Sequence, residues 1–330
     1  SMIITRTPYR ISFVGGGTDI KSYYAKFGGK VLSASINKFL YVIVKKQIGF
    51  VEYKYRVNWS KVEFADKIDD IKNPIAREAL RYFKINFPIE ITTIADIPAN
   101  TGLGSSSAFA VGLVNALFSL KNIRATKYEI ATVAAKIEIE ILKRNIGKQD
   151  HFPSSYGGLN VFEFKKNDIV EINPLPISLQ NIEKLQNNLI FLYTNLTRDA
   201  SKILKQQIKL DFNKNLYLQK IKDLVDKFED ILITGKNFNK LGELLHLNWK
   251  YKKKINSEAT SQEINKLYNQ TLKLGADGGK ILGAGGGGFL MLYANQKIQN
   301  RLKKKLKYKN SFNIKIDTVG TRLTYYDQSL

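Results

Sequence analysis

The sequence predicts an α+β protein with two domains. Residues 39–46 and 89–94 are rich in β-branched and aromatic side chains and predict strands. Residues 105–120 form an apolar run that lacks a polar face, which predicts a helix buried on all sides. Strand and helix patterns both recur in the second half of the chain, so neither kind of element dominates.

The domain boundary is predicted in the polar, proline-bearing stretch 173–188. We therefore expect an N-terminal domain of residues 2–180 and a C-terminal domain of residues 181–330. The patterns of the second domain predict a strand at 189–194, helices near 199–233, 238–254 and 259–274, a strand at 289–293, a basic helix and a last strand at 312–318.

Another helix of the first domain is predicted to begin at Thr126. Thr126 and Glu129 have the spacing of a capping box, in which each side chain bonds to the backbone of the other residue. Apolar residues continue at helical spacing: Ile130, Val133, Ile137 and Ile141. Glu138 and Glu140 lie on the same helix and are candidate ligands for a metal ion.

Composition excludes several kinds of chemistry. The chain has 0 cysteines, which excludes disulfides, thiolate nucleophiles and zinc–thiolate sites. Its 2 histidines, His151 and His246, are too few for a multi-histidine centre, so any metal is expected to be a hard ion on oxygen ligands. The sequence shows neither a signal-peptide pattern nor the ~20 apolar residues of a bilayer span, and we expect a cytoplasmic protein with no membrane partner.

The formal net charge of +23 raises the question of a nucleic-acid partner. The basic residues are spread along the chain, and the densest group, 301–309, fits the solvent face of a helix. We therefore expect no nucleic acid as partner, although a basic nucleic-acid-binding protein remains the alternative from another class. A positive field would also help to gather anionic substrates.

The segment 98–108, with the sequence PANTGLGSSSA, is the most informative motif. Gly102 and Gly104 allow the backbone to approach a ligand closely. Three serines follow at the N-terminus of the predicted buried helix, where free N–H groups and the helix dipole attract an anion. A simple capped helix needs fewer glycines and serines, so we favour a phosphate-binding loop whose hydroxyls can reach Mg²⁺. It is not a Walker A loop, because Gly-Lys-Ser/Thr is missing.

The segment 280–288, KILGAGGGG, satisfies a dinucleotide pattern only formally. A strand-like run follows its glycines where a dinucleotide site requires a helix. Four successive glycines nevertheless indicate that something approaches this backbone closely. A flexible hairpin is the alternative.

Two shorter segments add candidate functional residues. In 10–19, RISFVGGGTD, the polar residues around a glycine turn suit a polyhydroxylated ligand, or an aspartate that caps the turn. In 147–150, GKQD, the residue Asp150 is a candidate general base that needs no histidine relay.

Together and in this order, these segments resemble the GHMP kinase superfamily of galactokinase, homoserine, mevalonate and phosphomevalonate kinases. Segment 98–108 is similar to its central phosphate-binding motif, and 280–288 is similar to its third motif. The GGGTD of the first segment is closest to the branch of D-glycero-D-manno-heptose 7-phosphate kinase and the fucokinases. Further segments similar to the heptose kinase are 56–61, 73–80, 147–150 and 193–204.

The resemblance implies a fold and a reaction. The N-terminal domain would resemble domain 2 of ribosomal protein S5, and the C-terminal domain would be ferredoxin-like, with the active site between them. ATP and Mg²⁺ would be the cofactors of a monomer or homodimer. The enzyme would phosphorylate the anomeric hydroxyl of D-glycero-D-manno-heptose 7-phosphate, for the synthesis of nucleotide-activated heptose and surface polysaccharide. A fucokinase or another GHMP small-molecule kinase is the alternative.

The resemblance also implies roles for single residues. ATP would be held by Gly102, Leu103, Gly104, Ser105, Ser106, Ser107, Gly285, Gly286 and Gly287. Mg²⁺ would be bound by Ser106 and Glu140. The sugar would contact Arg10, Gly17, Thr18 and Asp19, and its own phosphate would pair with Arg198. Asp150 would be the base. Two positions depart from the family pattern, since His151 replaces a glutamine and Asn195 replaces a glycine.

Overall fold

The computed structural model describes residues 1–196, 209–283, 287–307 and 310–328. The elements of the first part are β1 (Met2–Val14), α1 (Lys21–Phe27), β2 (Gly29–Lys46), β3 (Tyr55–Asn58), β4 (Val62–Ala65), α2 (Pro74–Tyr82), β5 (Ile89–Ala95), α3 (Ser105–Leu120), α4 (Lys127–Ala135), α5 (His151–Tyr156), β6 (Leu159–Phe164), β7 (Val170–Pro174) and α6 (Leu179–Asn187). Those of the second part are β8 (Leu189–Tyr193), α7 (Phe212–Thr234), α8 (Lys240–Ile255), α9 (Gln262–Lys273), β9 (Gly278–Ile281), β10 (Phe289–Tyr293), α10 (Gln296–Leu306), β11 (Ser311–Phe312) and β12 (Arg322–Asp327).

In the described part of the chain, eight strands form the first sheet, in the order β12-β1-β2-β5-β3-β4, with β6 paired to β2 and β7 paired to β6. Besides β1, strand β2 pairs with two further strands, because its residues 40–46 pair with β5 and its residues 29–34 pair with β6. Helix α3 packs on β1 and β2 and is buried from Ser107 to Leu117. The helix without a polar face is therefore the centre of the N-terminal core, as its sequence predicted.

The second sheet has four antiparallel strands in the order β11-β8-β10-β9. Its helices α7 and α8 pack together and also contact β1 of the first sheet. Phe228 of α7 stacks on Phe13 of β1, with ring centroids 5.3 Å apart. The two parts thus share an apolar interface. No helix among the described residues combines the length and apolarity that a membrane crossing requires.

The end of the chain returns to the first sheet, which corrects two predictions. Strand β12 pairs with β1, so residues 322–327 do not belong to a C-terminal domain of 181–330. The predicted last strand at 312–318 is wrong as well, since β11 covers only Ser311–Phe312. The edge of β1 would otherwise present unpaired N–H and C=O groups, and β12 satisfies them.

Helix α7 is shorter than the predicted helix at 199–233. It begins at Phe212, with Asp211 as its N-cap, because the Asp211 carboxylate accepts the N–H of Lys214 at 2.8 Å. Residues 199–208 of that prediction lie outside the described residues. The other two helices lie within a few residues of their predicted ranges.

Helix α4 begins at the predicted capping box but does not continue as a regular helix. Residues Lys136–Ile141 form a π-helical turn, whose wider spacing shifts every following side chain around the axis. Ile141 is 39% exposed, although regular spacing would have buried it. The same turn buries Glu138 completely and leaves Glu140 at the surface.

Candidate active site

Two glycine-rich loops meet backbone to backbone between the two sheets. Gly102 has φ of 82°, and a Cβ built on it would lie 2.2 Å from the carbonyl oxygen of Leu282. Phe289 donates its N–H to the carbonyl of Thr101 at 3.2 Å. Gly102 is therefore needed both for its positive φ and for the close approach of the second loop. Gly287 packs similarly against Leu196, whereas the predicted ATP contacts Gly285 and Gly286 lie outside the described residues.

Gly102→Ala is expected to lose about 1–3 kcal/mol more free energy of unfolding than Gly49→Ala. Gly49 is a matched control, because it has φ of 64° but no atom within 4 Å of the position that a Cβ would take there. Both variants carry the backbone penalty of a positive φ, and only Gly102→Ala adds a collision. Urea unfolding measures both values. Equal losses of the free energy of unfolding in both variants would mean that the two loops move apart at no energetic cost.

The first loop leads into helix α3 and presents its serines there. Gly104 is the N-cap, with φ of 74°, and Leu103 anchors the loop in the core. Ser106 is exposed at the first turn, and its hydroxyl donates to Oε2 of Glu138 at 3.1 Å. The free N–H groups of this turn and the Ser106 hydroxyl point to an anion site, as the motif predicted.

Glu138 is a buried anion with several partners. Its Oε1 lies 2.9 Å from Nε2 of His151, and its Oε2 accepts from Nη1 of Arg144 at 3.0 Å. Burial alone would raise the pKa of Glu138, but the hydrogen bond and charge of His151 and the charge of Arg144 outweigh it and lower the pKa. The Glu138 carboxylate is therefore ionised at neutral pH.

The pair of Ser106 and Glu138 fits Mg²⁺. A hydroxyl and a carboxylate are hard oxygen ligands, which this ion prefers. No group of three or more His, Cys, Asp or Glu that suits a metal occurs in the described part of the chain. The remaining ligands would be phosphate oxygens and water, which fits a metal that arrives with a nucleotide. Glu140, the predicted metal ligand, is exposed and is not brought to Ser106, whereas Glu138 contacts Ser106 and is better placed for a metal there.

Asp150 lies beside the same loop and is held by Arg10. Nε and Nη2 of Arg10 donate to Oδ1 of Asp150 at 2.9 and 2.5 Å. Nη1 of Arg10 donates to the carbonyl of Gly102 at 3.1 Å, and Arg10 is only 3% exposed. Both bonds to Asp150 end on Oδ1, so Arg10 orients the carboxylate without using Oδ2.

Thr18 and Asp19 are held inside the first glycine turn. Both are 0% exposed. Asp19 accepts the N–H groups of Gly17 and Gln149 at 2.9 and 3.0 Å, and Thr18 bonds to backbone atoms of Gly15 and Lys30. In the structure Asp19 ties the first glycine turn to the segment that carries Asp150, and the contacts of Thr18 and Asp19 with a sugar stay a prediction.

The charge of Asp19 is also affected by burial. Burial and the neighbouring Asp150 raise the pKa of Asp19 to about 6, although hydrogen bonds from the backbone of Gln149 and Gly17 oppose this shift. At pH 7 the carboxylate is therefore ionised and accepts both backbone bonds.

Two lysines of the second part complete the cluster, and sequence reasoning missed one of them. Nζ of Lys252, on α8, donates to the carbonyl oxygen of Gly283. Lys280, inside the second glycine motif, is buried and donates to the carbonyl of Phe13 at 3.3 Å. Lys252 lies within an ordinary basic run on a helix, and no local pattern distinguishes it from its neighbours.

The two departures from the family pattern have structural explanations. His151 is buried and contacts Glu138, so it neither touches the Asp150 carboxylate nor simply fills space. Asn195 has φ of 56°, a left-handed conformation that asparagine tolerates better than most residues. Asn195 can thus replace a glycine without changing the turn. Arg198, the predicted partner of the sugar phosphate, lies outside the described residues.

Comparisons with known proteins agree with this geometry. Residues 72–158 match the family GHMP kinases N terminal domain, and residues 224–310 match GHMP kinases C terminal. The D-glycero-alpha-D-manno-heptose 7-phosphate kinase of Campylobacter jejuni is 31% identical to the chain over 94% of both proteins. The chain belongs to the GHMP kinase family. This GHMP kinase is therefore an ATP-dependent phosphotransferase, and the predicted two-domain GHMP kinase fold is confirmed.

Two further comparisons have lower sequence identities. The bifunctional fucokinase/GDP-fucose pyrophosphorylase of Arabidopsis thaliana is 24% identical over 94% of this chain and 31% of that protein. A crystal structure of a D-glycero-D-manno-heptose 1-phosphate kinase from Bacteroides thetaiotaomicron covers 99% of the chain, with a TM-score of 0.78 and 22% identity. At that identity the likeness supports the fold alone.

Proposed function

We propose that this GHMP kinase transfers the γ-phosphoryl group of ATP to the anomeric hydroxyl of D-glycero-D-manno-heptose 7-phosphate. The reaction type is supported by one observation: Arg10 holds the Asp150 carboxylate beside the phosphate-binding loop. The choice of sugar is supported by the similarity to the C. jejuni heptose 7-phosphate kinase over nearly the whole chain. The product would be a heptose 1,7-bisphosphate for the synthesis of nucleotide-activated heptose.

The reaction would be a direct, in-line transfer. Asp150 takes the proton of the anomeric hydroxyl while that oxygen forms a bond to the γ-phosphorus. The bond between the γ-phosphorus and the bridging oxygen breaks, and ADP leaves with the electron pair. The helix N-terminus and the loop N–H groups stabilise negative charge, and Mg²⁺ supplies Lewis-acid neutralisation when bound. Positioning of the two substrates accounts for much of the acceleration.

The remaining assignments follow this scheme. Gly102, Leu103 and Gly104 contribute backbone groups to the phosphates, and Ser106 acts with Glu138 on the metal. Gly17 faces the sugar from the first turn, Gly285 to Gly287 contact the phosphates of ATP, and Arg198 pairs with the phosphate of the sugar. The N-terminal domain then comprises 2–180 together with β12.

A coupled assay that detects ADP tests the proposal. With ATP and Mg²⁺, we expect turnover with D-glycero-D-manno-heptose 7-phosphate and at least about 100-fold lower kcat/KM with fucose, galactose or mevalonate. Phosphorus NMR of the product should show a new phosphate on the anomeric carbon. Preferred turnover of fucose would favour the alternative, which the similarity to the plant fucokinase supports. A new phosphate at any other carbon would contradict the proposed position of attack.

A further inference from the structure

The transfer described so far leaves Lys252 without a role, although it lies in the site. Its Nζ donates to the carbonyl of Gly283, and a Cβ on Gly283 would lie 2.5 Å from Cα of Gly102. The ammonium group therefore lies where the two glycine loops touch. An ammonium has three donor hydrogens, and the bond to Gly283 uses one of them.

Charged groups surround Lys252 from several elements. Arg10 of β1 and Lys280 of β9 are the neighbouring cations, and Asp19 and Asp150 are the neighbouring anions. Burial and then the charge of Arg10 lower the pKa of Lys252 to about 8, although Asp150 and Asp19 oppose the shift. At pH 7 Lys252 is therefore a cation, and an added anion beside it would stabilise its charge.

Burial also affects Lys280. The pKa of Lys280 lies well below its ordinary value, chiefly because of burial and then because of the charges on Lys252 and Arg10. Nζ of Lys280 donates to the main-chain carbonyl of Phe13 on β1. Arg10 is bonded to Asp150 and Gly102. Lys252 is thus the cation of this cluster that is best able to bind a further anion.

The position of Lys252 matches the end of the nucleotide. The β-phosphate and its metal belong at Ser106 and Glu138, on the N-terminus of α3. The terminal phosphoryl group has to lie between that point and Asp150, because Asp150 receives the proton of the attacking hydroxyl. A group in that place lies along the glycine loop, beside the junction that Lys252 contacts.

We propose that Lys252 binds the γ-phosphoryl oxygens of ATP and stabilises their charge during transfer. This role rests on the kinase function proposed above. The lysine keeps its proton throughout, while the acceptor oxygen bonds to the γ-phosphorus, the bond to the bridging oxygen breaks and the acceptor proton moves to Asp150. Lys252 is therefore a binding and charge-stabilising group, not a base.

A binding experiment tests the contact without any acceptor. Calorimetry in the presence of Mg²⁺ would compare a non-hydrolysable ATP analogue with ADP for wild type, Lys252→Met and the control Lys254→Met. Lys254 is exposed on the same helix. We expect Lys252→Met to weaken binding of the ATP analogue about tenfold more than binding of ADP, because one charge-assisted hydrogen bond is lost. The control Lys254→Met should change the affinity for neither nucleotide. Equal effects on both nucleotides, or no effect, would overturn the proposal.

Turnover distinguishes this role from a structural one. Lys252→Met is expected to lower kcat by about 10²–10³, and Lys252→Arg to restore much of it. In wild type, kcat/KM should fall above about pH 8 as Lys252 loses its proton, and Lys252→Arg should move this limb to higher pH. If Lys252 served only to hold Gly283 in place, Lys252→Met would have a lower melting temperature, but its kcat and the alkaline limb of its pH profile would be unchanged.

The two proposals fail in different ways. Absence of turnover with every acceptor would contradict the proposed function, but the binding comparison would still decide the contact of Lys252. Turnover with the heptose phosphate and an unchanged preference for the ATP analogue in Lys252→Met would contradict only the role of Lys252.

Discussion

Asp150→Asn is expected to lower kcat by about 10²–10⁴, while the Kd of ATP changes by less than about twofold. Asparagine has nearly the same shape and still offers an oxygen to Arg10, but its amide cannot take a proton from the attacking hydroxyl. The loss should therefore appear in kcat, because the base acts only in the transition state. Steady-state kinetics with the heptose phosphate and calorimetry with ATP measure the two quantities.

Two controls accompany Asp150→Asn. Asp230→Asn removes the same charge from an exposed position on α7 and should leave kcat unchanged. Thermal unfolding of Asp150→Asn should show a loss of stability, because Arg10 is buried and loses its charged partner. A raised KM for the sugar with normal kcat would assign Asp150 to sugar binding and exclude it as the base.

Glu138→Gln is expected to raise the Mg²⁺ concentration for half-maximal activity by at least about 10–100-fold, whereas Glu140→Gln changes it less than about twofold. Glu138 is buried and contacts Ser106, so the substitution removes the negative charge that would bind a metal at Ser106. Glu140 lies at the surface two residues away and is a close control for the chemical change. The Mg²⁺ concentration for half-maximal effect is measured in both variants by titrating Mg²⁺ while turnover, and separately ADP binding, is recorded.

A second variant separates metal binding from folding. Loss of the Glu138 charge also affects Arg144 and His151, so Glu138→Gln should melt at a lower temperature than wild type. His151→Gln keeps a donor near Glu138 and should retain a magnesium requirement close to that of wild type. A large magnesium shift in Glu140→Gln and none in Glu138→Gln would contradict the assignment of the metal ligand.

Elements whose residues interact locally were predicted well. Helix α3 covers Ser105–Leu120 as its continuous apolar pattern indicated, and the capping box at Thr126 is formed as predicted. Strand β10 has its expected bounds, Phe289–Tyr293. Each of these depends on side-chain periodicity or on contacts between residues three or four positions apart.

Elements that depend on distant partners were not predicted. Strand β12 exists because the edge of β1 accepts it, and those strands lie at opposite ends of the chain. The π-helical turn after α4 interrupts a pattern that fits a regular helix in the sequence. The turn buries Glu138 against His151 and Arg144, and these charged contacts outweigh the regular spacing of isoleucines.

Residue types and their order along the chain were enough to establish the kind of protein, because the glycine-serine loop, the second glycine motif and Asp150 carry their chemistry locally. How these parts act together depends on the folded chain. Arg10 reaches Asp150 from 140 positions away, Lys252 meets the Gly283 carbonyl from another element, and Glu138 rather than Glu140 faces Ser106. These contacts depend on burial and on long-range packing, which fix the distance and the desolvation of each charge and leave no local pattern in the sequence.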